Sequence, residues 1–444
     1  MKLKPKIGVA FTCIDGFDLN QDKLGVYKDK VTGILNDIDM ENKFIKFIVK
    51  SEDDARKANG IFLKENLDAI LLIVAVWTPD STAITLINNL DIPVIIFTTS
   101  LSTQTVSING AQVVAAAFKE LGIDFKFIFG DINDKSVQKK IINYSFASAI
   151  VKKLKKIRIG FIGFIPEIML SLNINIFSVK KVFGPIVVPV DYYKLEEYFK
   201  KVNDREINNR AQEIKNLVGK VGVANGVLKE SIRYYFALKN MAKDLNLDAL
   251  AVNCFPFPQI KGKTCLAISN LNDDGINTAC EGDVNSLIIM VVFNFITGKA
   301  SLNSDLIIEY KNENKIMFSH CGCGPFTYAV STKDVILEEQ YEVKSGMGVY
   351  YPVKIGGRET TVVNLVGTEA TYRMCILNGR TVPTEKLTYY GNPINIKFKT
   401  PVKELINIIG NEGFGHHWMV TYGNHKDILL EICKLLKIKS ITIN

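Results

Sequence analysis

The chain has 444 residues, of which 47% are hydrophobic and 23% are charged. These proportions are typical of a globular protein with two or three domains, and they exclude a disordered or fibrous chain. Apolar runs such as residues 287–293 are much shorter than the roughly 20 residues that cross a bilayer. Asp15 ends the apolar stretch that follows the N-terminal lysines, and no cleavage site comes after it. We therefore expect a cytoplasmic protein with no membrane partner.

The net charge of +8 raises the question of nucleic-acid binding. The lysines are dispersed, however, and the cluster at residues 152–156 lacks the interleaved aromatic residues of a base-stacking groove. A solvated basic surface accounts for the charge and attracts anionic substrates weakly. No nucleic-acid partner is expected.

The first 300 residues alternate short apolar runs with amphipathic segments. Runs at 7–11, 69–76 and 93–98 are typical of buried strands, and the segments 51–65 and 81–90 have helical periodicity. Strands that alternate with helices form parallel βαβ units. The pattern predicts a doubly wound α/β fold.

Two short echoes relate the halves of this α/β region. Residues 6–9 resemble residues 158–161, and residues 66–70 resemble residues 246–250. The echoes suggest a duplication. We predict two α/β domains, at residues 1–156 and 157–300. The second includes strands at 158–164, 186–190 and 249–254 and a helical region at 204–246 that breaks near 219–226.

From about residue 326 the pattern changes to short alternating strands, at residues 349–353, 360–365, 373–377 and 395–399. Asn378-Gly379 is interpreted as a hairpin turn between two of them, because both residues tolerate positive φ angles. Glycine pairs and Gly-Asn-Pro supply the other turns. We predict a β-rich, antiparallel, barrel-like domain over residues 301–444.

Eight cysteines in a chain of this length do not indicate a disulfide framework, and most lie in apolar surroundings, where a reduced thiol acts as a small hydrophobic side chain. Cys321 and Cys323 beside His320 could be half of a zinc site. No second Cys/His pair stands at the spacing that structural zinc requires. The sequence leaves the role of both thiols open.

Three of the four histidines lie in two short motifs. The first motif runs from Glu281 through Asp305 to His320, and the second contains His416 and His417. A chain poor in histidine that places it near isolated carboxylates is best interpreted as a metalloenzyme. We predict that these side chains converge on one cation.

The neighbourhood of Glu281 supports a functional role. It lies between an apparent strand end and the apolar helix 284–296, at the sheet edge where open α/β folds bind ligands. The helix dipole there favours an ionised carboxylate. Asp283 is interpreted mainly as the cap of the same helix. Asp305 is placed just before a strand at 306–308.

The donor types indicate the chemistry. Two carboxylates with imidazole suit Mn²⁺, Mg²⁺, Co²⁺ or Fe²⁺ better than a thiophilic metal. Such a cation polarises a carbonyl beside a hydroxyl and stabilises an ene-diolate. Carboxylates on each side of the substrate can then move a proton between C2 and C1, which is worth roughly 10²–10⁴-fold in rate.

Several segments together resemble a known family, the L-fucose/L-arabinose isomerase superfamily. The similar segments are residues 76–82, 265–269, 272–276, 279–285, 318–322, 413–417 and 421–423. The resemblance implies two α/β domains followed by a β-rich domain, and a homo-oligomer, typically a hexamer. It also implies Mn²⁺-dependent aldose–ketose isomerisation through an ene-diol.

The same resemblance implies roles for individual residues. Glu281 and Asp305 correspond to catalytic carboxylates that bind the metal, and His417 corresponds to a further metal ligand. His320 matches a ligand of the arabinose-type enzymes. The residues implied to face the substrate are Trp77 and His416.

The chain also departs from the superfamily pattern. It is short for a fucose isomerase, and Cys323 stands where an asparagine is expected. These departures indicate a divergent member, and the substrates of such members vary and include sulfonated hexoses. The sugar, the preferred metal and the oligomer size stay open.

Two other functions stay open at this stage. One is a non-catalytic sugar-binding or regulatory protein on the same fold, which would hold no stoichiometric metal. The other is a metal-dependent epimerase or lyase that uses the same intermediate. Deuterium exchange at C1 or C2 with product identification separates these from an isomerase.

Overall fold

The computed structural model describes residues 2–14, 21–101, 105–164, 168–254, 263–385 and 391–443. The chain divides into two compact units, residues 3–153 and residues 154–444 together with residues 1–2. Within these described ranges, every helix is too short or too polar to cross a membrane.

The unit of residues 3–153 is built around a parallel sheet. Its elements are β1 (Lys6–Thr12), α1 (Gln21–Asn36), β2 (Glu41–Phe44), α2 (Glu52–Phe62), β3 (Ala69–Val74), α3 (Asp80–Ile87), β4 (Val94–Thr98), α4 (Ser107–Glu120), β5 (Phe125–Phe129) and α5 (Lys135–Leu154). The strand order is β2-β1-β3-β4-β5. Every residue of β3 is buried, as expected for a parallel strand that helices cover on both faces.

The second unit begins with another parallel sheet. Its first elements are β6 (Arg158–Ile162), α6 (Ile176–Val182), β7 (Ile186–Val190), α7 (Tyr192–Lys201), α8 (Asp204–Leu217), β8 (Lys220–Val221), α9 (Asn225–Asp244), β9 (Ala249–Val252), α10 (Cys265–Asp273), β10 (Thr278–Ala279) and α11 (Val284–Thr297). The parallel strands follow the order β10-β9-β6-β7. The expected break in the helical region is present and contains the short strand β8.

The two sequence echoes correspond to the same local structure in both sheets. In the first sheet the Asp68 carboxylate accepts a hydrogen bond from the backbone N–H of Lys6 at 2.8 Å. In the second, Asp248 accepts one from the backbone N–H of Arg158, also at 2.8 Å. In each case the aspartate precedes one strand and fixes the start of its neighbour.

The rest of the second unit is mainly antiparallel. Its elements are β11 (Leu302–Tyr310), β12 (Lys315–Ser319), β13 (Ile336–Glu338), β14 (Gly348–Tyr350), β15 (Glu359–Val366), β16 (Arg373–Val382), β17 (Ile394–Phe398), α12 (Val402–Asn411), β18 (His417–Tyr422), α13 (Lys426–Leu436) and β19 (Lys439–Ile443). Six strands follow the order β15-β18-β11-β12-β17-β16, and β15 also pairs with β16, which closes a barrel. β19 adds to β16 in parallel. The predicted fold class, α/β with a β-rich barrel-like end, is confirmed.

The predicted hairpin at Asn378-Gly379 is wrong. Both residues lie inside β16, where Thr361 pairs with Asn378 and Thr360 with Gly379. Glycine is required there for a different reason: a Cβ on Gly379 would lie 2.5 Å from the Ile396 side chain of the adjacent strand. Close packing between strands, and not a turn, therefore explains this glycine.

Helix α11 connects the parallel sheet to the barrel. It packs against β9 and β10 and also against β15 and β18. Its mostly apolar sequence is buried on nearly all sides, as expected for a helix between two sheets. The residues just before α11 therefore lie where the two sheets meet.

Candidate metal centre

Strand register places three site positions in one row. Asp305 of β11 pairs with His417 of β18 on one side and with Ser319 of β12 on the other. His320 follows Ser319 directly. Residues that are far apart in sequence are thus brought into one row across three adjacent strands.

The expected position of Asp305 needs a correction. The sequence predicts this residue just before a strand, but it lies within β11, which already begins at Leu302. Polar residues 303–305 obscured this start. They extend as strand because residues 302–305 all pair with β18.

Glu281 lies in the short connection between β10 and α11. Its backbone has φ of 60°, in the left-handed region, and Gly282 follows with φ of 72°. A left-handed non-glycine residue is uncommon and costs of order 1–3 kcal/mol, and such residues cluster at functional sites. The Glu281 side chain is buried and faces the barrel residues His416 and His417.

The Nε2 atom of His417 is the centre of the group. It lies 3.3 Å from Glu281 Oε2 and 3.9 Å from Asp305 Oδ1. His320 Nε2 is 3.4 Å away from it. His416, which is exposed, places its Nε2 3.4 Å from the same Glu281 oxygen. The structure therefore brings together Glu281, Asp305, His320, His416 and His417.

These donors form two overlapping sets. Glu281, His416 and His417 have donor atoms within 4.8 Å of one another, and so do Asp305, His320 and His417. His417 belongs to both sets. The two carboxylates that the sequence assigned to one metal are therefore joined through this histidine.

Asp283 has a role that the sequence did not reveal. It caps α11 as expected, accepting from the backbone N–H of Ser286 at 3.0 Å. Its Oδ2 atom also lies 2.8 Å from His417 Nδ1. The Nδ1–H group of His417 donates to this carboxylate, and Nε2 is thereby directed at Glu281 and Asp305. A carboxylate behind a histidine is the usual way proteins orient an imidazole ligand.

The surroundings shift the pKa values of the two carboxyl groups in opposite directions. Burial alone would raise the pKa of Glu281, but hydrogen bonds from His416 and His417 outweigh it and hold the pKa at about 2. Burial raises the pKa of Asp305, and the nearby histidines offset only part of this effect. Glu281 is thus a permanent anion at neutral pH, whereas Asp305 more readily holds a proton.

His417 is charged in the absence of a metal. Burial alone would lower its pKa, but hydrogen bonds to Asp283 and Glu281 raise the pKa to about 10. A proton on Nε2 therefore fills the position between the histidine and the Glu281 carboxylate. A divalent cation can replace this proton.

The residues fit a divalent metal by two further criteria. Asp305 Oδ1 is buried and has no hydrogen-bond partner among the described residues, although an unpaired buried carboxylate oxygen is costly. The combined donors are carboxylate oxygens and imidazole nitrogens, which suit Mn²⁺ and similar cations.

Glu342 is a second residue that the sequence did not single out. It lies between β13 and β14, and its pKa is raised to about 7 by partial burial and by the negative charges of Cys321, Glu281 and Asp305. A carboxyl group with this pKa can exchange protons at neutral pH. No motif surrounds it, so only the fold could reveal it.

Trp77 belongs to the other unit of the chain. It follows β3 and is partly buried, and its Nε1–H donates to Asn109 Oδ1 at 2.8 Å. Its implied contact with substrate stays a prediction.

Comparison with known proteins finds several whose sequences are similar to this chain. No protein-family model matches the chain. The sulfoquinovose isomerase of Priestia aryabhattai is 22% identical over 340 residues, which is 75% of each chain. The sulfoquinovose isomerase of Clostridium sp. strain MSTE9 is 25% identical over 344 residues, again 75% of each. The similarity supports a sugar-isomerase family, and the wider fucose/arabinose resemblance stays a prediction.

A solved structure was also found, a periplasmic solute-binding protein of an ABC transporter from Actinobacillus succinogenes with bound D-allose. It is 14% identical and covers 67% of this chain and 92% of its own length. The TM-score is 0.17, so it carries no argument about fold or ligand.

Proposed function

We propose that this protein is a divalent-metal-dependent aldose–ketose isomerase that acts on a sulfonated hexose. The observation that carries the proposal is the orientation of His417. Asp283 fixes its Nδ1 side at 2.8 Å, and its Nε2 faces Glu281 and Asp305 at 3.3 and 3.9 Å. The similarity to sulfoquinovose isomerases supports the reaction type.

Glu281, Asp305 and His417 hold the metal in this proposal, with Mn²⁺ as the expected ion and Mg²⁺ or Co²⁺ as alternatives. His320 is the fourth ligand whenever its proton is on Nδ1, because Nε2 then offers its lone pair to the same position. A cation held by these residues would supply Lewis-acid polarisation of the sugar carbonyl.

The two carboxyl groups have different roles in the proton transfer. Glu281 stays ionised and provides fixed negative charge. Asp305, whose pKa is raised by burial, holds a proton more readily and can pass it between C2 and C1 of the substrate. His416 is exposed and touches Glu281, so it is placed to contact a sugar hydroxyl.

The sulfonated substrate is inferred from the relatives and from charge. Sulfoquinovose is an aldohexose that carries a sulfonate, so it is an anion at neutral pH. A chain with net charge +8 attracts anions. A neutral pentose or deoxyhexose gains nothing from this charge.

The test is an assay with controlled metal. The protein is stripped with a chelator, reloaded with Mn²⁺, Mg²⁺ or Co²⁺, and given sulfoquinovose, glucose, L-fucose or L-arabinose in D₂O. We expect NMR to detect the ketose of sulfoquinovose only with metal, with deuterium incorporated at the transferred position.

Two results would contradict the proposal. Absence of stoichiometric metal binding would leave a non-catalytic sugar-binding protein. An epimer as the main product would indicate a metal-dependent epimerase that uses the same intermediate.

A further inference from the structure

Cysteines gather on the other side of His320. Five of the eight take part, and we call them the thiol cluster: Cys254, Cys265, Cys280, Cys321 and Cys323. All are free thiols, and all except Cys321 are buried. Cys280 lies in the middle, with Sγ 3.6 Å from Cys254 Sγ and in side-chain contact with Cys321 and Cys323.

The thiol cluster provides the second pair of thiols that the sequence pattern did not show. Cys321 and Cys323 had no second Cys/His pair at a zinc-like spacing. The fold brings Cys265 from α10 and Cys280 from the end of β10 into contact with Cys321. A search by spacing cannot find this partner pair, because it lies on different elements.

The imidazole of His320 has two distinct sides. Its Nε2 faces His417 and Glu281, at 3.4 and 4.0 Å. Its Nδ1 lies 3.1 Å from Cys321 Sγ and 3.7 Å from Cys323 Sγ. The backbone N–H of Cys321 donates to Nδ1 at 2.9 Å, so in the neutral ring the lone pair is on the thiol side.

The distances are close to those of a thiophilic metal site. Ligands around tetrahedral Zn²⁺, at about 2.3 Å for sulfur and about 2.0 Å for nitrogen, stand roughly 3.3–3.8 Å apart. The Cys321–His320 and Cys323–His320 separations are 3.1 and 3.7 Å. Donor atoms of Cys280, Glu281, His320 and Cys321 all lie within 4.8 Å of one another. A cation bound at Nδ1 takes the lone pair that now accepts from the Cys321 N–H.

We infer that the thiol cluster binds a soft divalent cation such as Zn²⁺ or Cd²⁺ through Cys280, Cys321 and His320, with Glu281 as the fourth ligand, and that this cation excludes the isomerase metal. Glu281 and His320 belong to both donor groups. A carboxylate and an imidazole shared between two cations bind each cation more weakly, and two dications with common ligands repel each other. The competition between the two cations for binding does not depend on the proposed function. That the soft cation inhibits the enzyme rests on the proposed function.

Ordinary core thiols in the same chain provide the contrast. Cys433 Sγ contacts the Met374 thioether at 3.6 Å, inside apolar packing. Cys375 is also buried, with a pKa raised to about 12 mainly by burial. Among the described residues, neither thiol has a hydrogen bond with an imidazole or a carboxylate, and Cys375 senses the Glu412 charge only as a minor effect. They are matched controls for the loss of a buried thiol.

The experiment titrates metal-free full-length protein with Cd²⁺ under a phosphine reductant. Cd–thiolate charge-transfer absorbance and equilibrium dialysis are measured for wild type, for Cys280→Ser/Cys321→Ser and for Cys375→Ser/Cys433→Ser. We expect one cadmium with thiolate absorbance in wild type and control. The site variant should lose the absorbance and bind about 100-fold more weakly or worse, since even outer-shell partners are worth about 10- to 100-fold in metal affinity.

Competition is measured in the same samples by Mn²⁺ dialysis. Bound Cd²⁺ should lower Mn²⁺ affinity in wild type and in the control pair. Thiolate absorbance that survives in the site variant, or Mn²⁺ binding that ignores bound Cd²⁺, would overturn the inference.

Two measurements keep the outcome interpretable. Circular dichroism checks that each variant folds, and Cys321→Ser alone, at the partly exposed position, should already reduce the absorbance. Because all readouts are binding measurements, a protein that binds Cd²⁺ and Mn²⁺ competitively but isomerises no sugar would refute the proposed function and leave this inference intact.

Discussion

The two sides of His320 differ in donor type and in the contacts that hold the donors. On the Nε2 side stand carboxylates and His417, which Asp283 holds at 2.8 Å. On the Nδ1 side stand thiols that contact mainly one another. Hard and soft donors thus adjoin within one buried region. The comparison teaches that the choice of cation depends on which donors are held in place and on which nitrogen of His320 carries the proton.

The largest effect is expected from the carboxylates. Glu281→Gln and Asp305→Asn keep the shape of the side chains. The first removes an ionised metal ligand and the second removes a ligand that also carries the proton, so kcat should fall by about 10²–10⁴-fold. Glu309→Gln, on the exposed part of β11, is the matched control and should keep full activity. Steady-state kinetics with saturating Mn²⁺ measures kcat for each variant. Near-normal turnover in Glu281→Gln would remove it from the site.

Asp283→Asn should weaken metal binding on the carboxylate side of His320 alone. Loss of this orienting partner typically costs about 10- to 100-fold in metal affinity. Mn²⁺ dialysis should show that loss, whereas Cd²⁺–thiolate absorbance should persist. Because Asp283 also caps α11, Ser51→Ala, which removes the cap of α2, controls for a cap loss of about 0.5–2 kcal/mol. Equal losses of both cations would show that Asp283 also supports the thiol side.

Mn²⁺ affinity should increase with pH. The pKa of His417 is raised to about 10, so at neutral pH the metal must displace a proton. We expect up to about a tenfold gain per pH unit between pH 6.5 and 8.5, and release of about one proton in calorimetry with different buffers. In metal-free protein the paired His417 stabilises the fold fully below its ordinary pKa, and this contribution is lost as pH rises through about 10. An affinity that does not change with pH would exclude a charged His417.

The smallest effect is on thermal stability. Mn²⁺ at one hundred times its Kd should stabilise the native state by about 2.7 kcal/mol and raise the melting midpoint by a few degrees. Glu281→Gln should lose this shift, and Glu309→Gln should retain it. Calorimetric scans with and without chelator measure both. An equal shift in Glu281→Gln would place the cation elsewhere.

Sequence patterns predicted the parallel sheets well, because buried strands such as Ala69–Val74 are continuous apolar runs. They also predicted that Glu281 precedes a buried helix. The hairpin predicted at Asn378-Gly379 was wrong because a glycine that strand packing requires looks the same in the sequence as a glycine that a turn requires. The location of Asp305 inside β11 was missed because polar residues begin that strand.

The residues of the candidate site were predicted from the sequence, but the contacts between them were not. Histidine scarcity directed attention to Glu281, Asp305, His320 and His417; the structure brings these side chains together, and their role as metal ligands stays a prediction. The link from Asp283 to His417 and the thiol partners of Cys321 depend on contacts between distant elements, which no local pattern encodes. The roles of Trp77 and of a homo-oligomer stay predictions.

Because Asp305 pairs with His417, the candidate metal site depends on the register between β11 and β18. Neighbouring side chains in a strand point to opposite faces, so sliding β18 by one residue would turn the imidazole away from both carboxylates. Sliding by two would restore the face but carry the ring about 7 Å along the barrel wall. A deletion or insertion in the connection before His417 therefore threatens metal binding even where the barrel itself tolerates it.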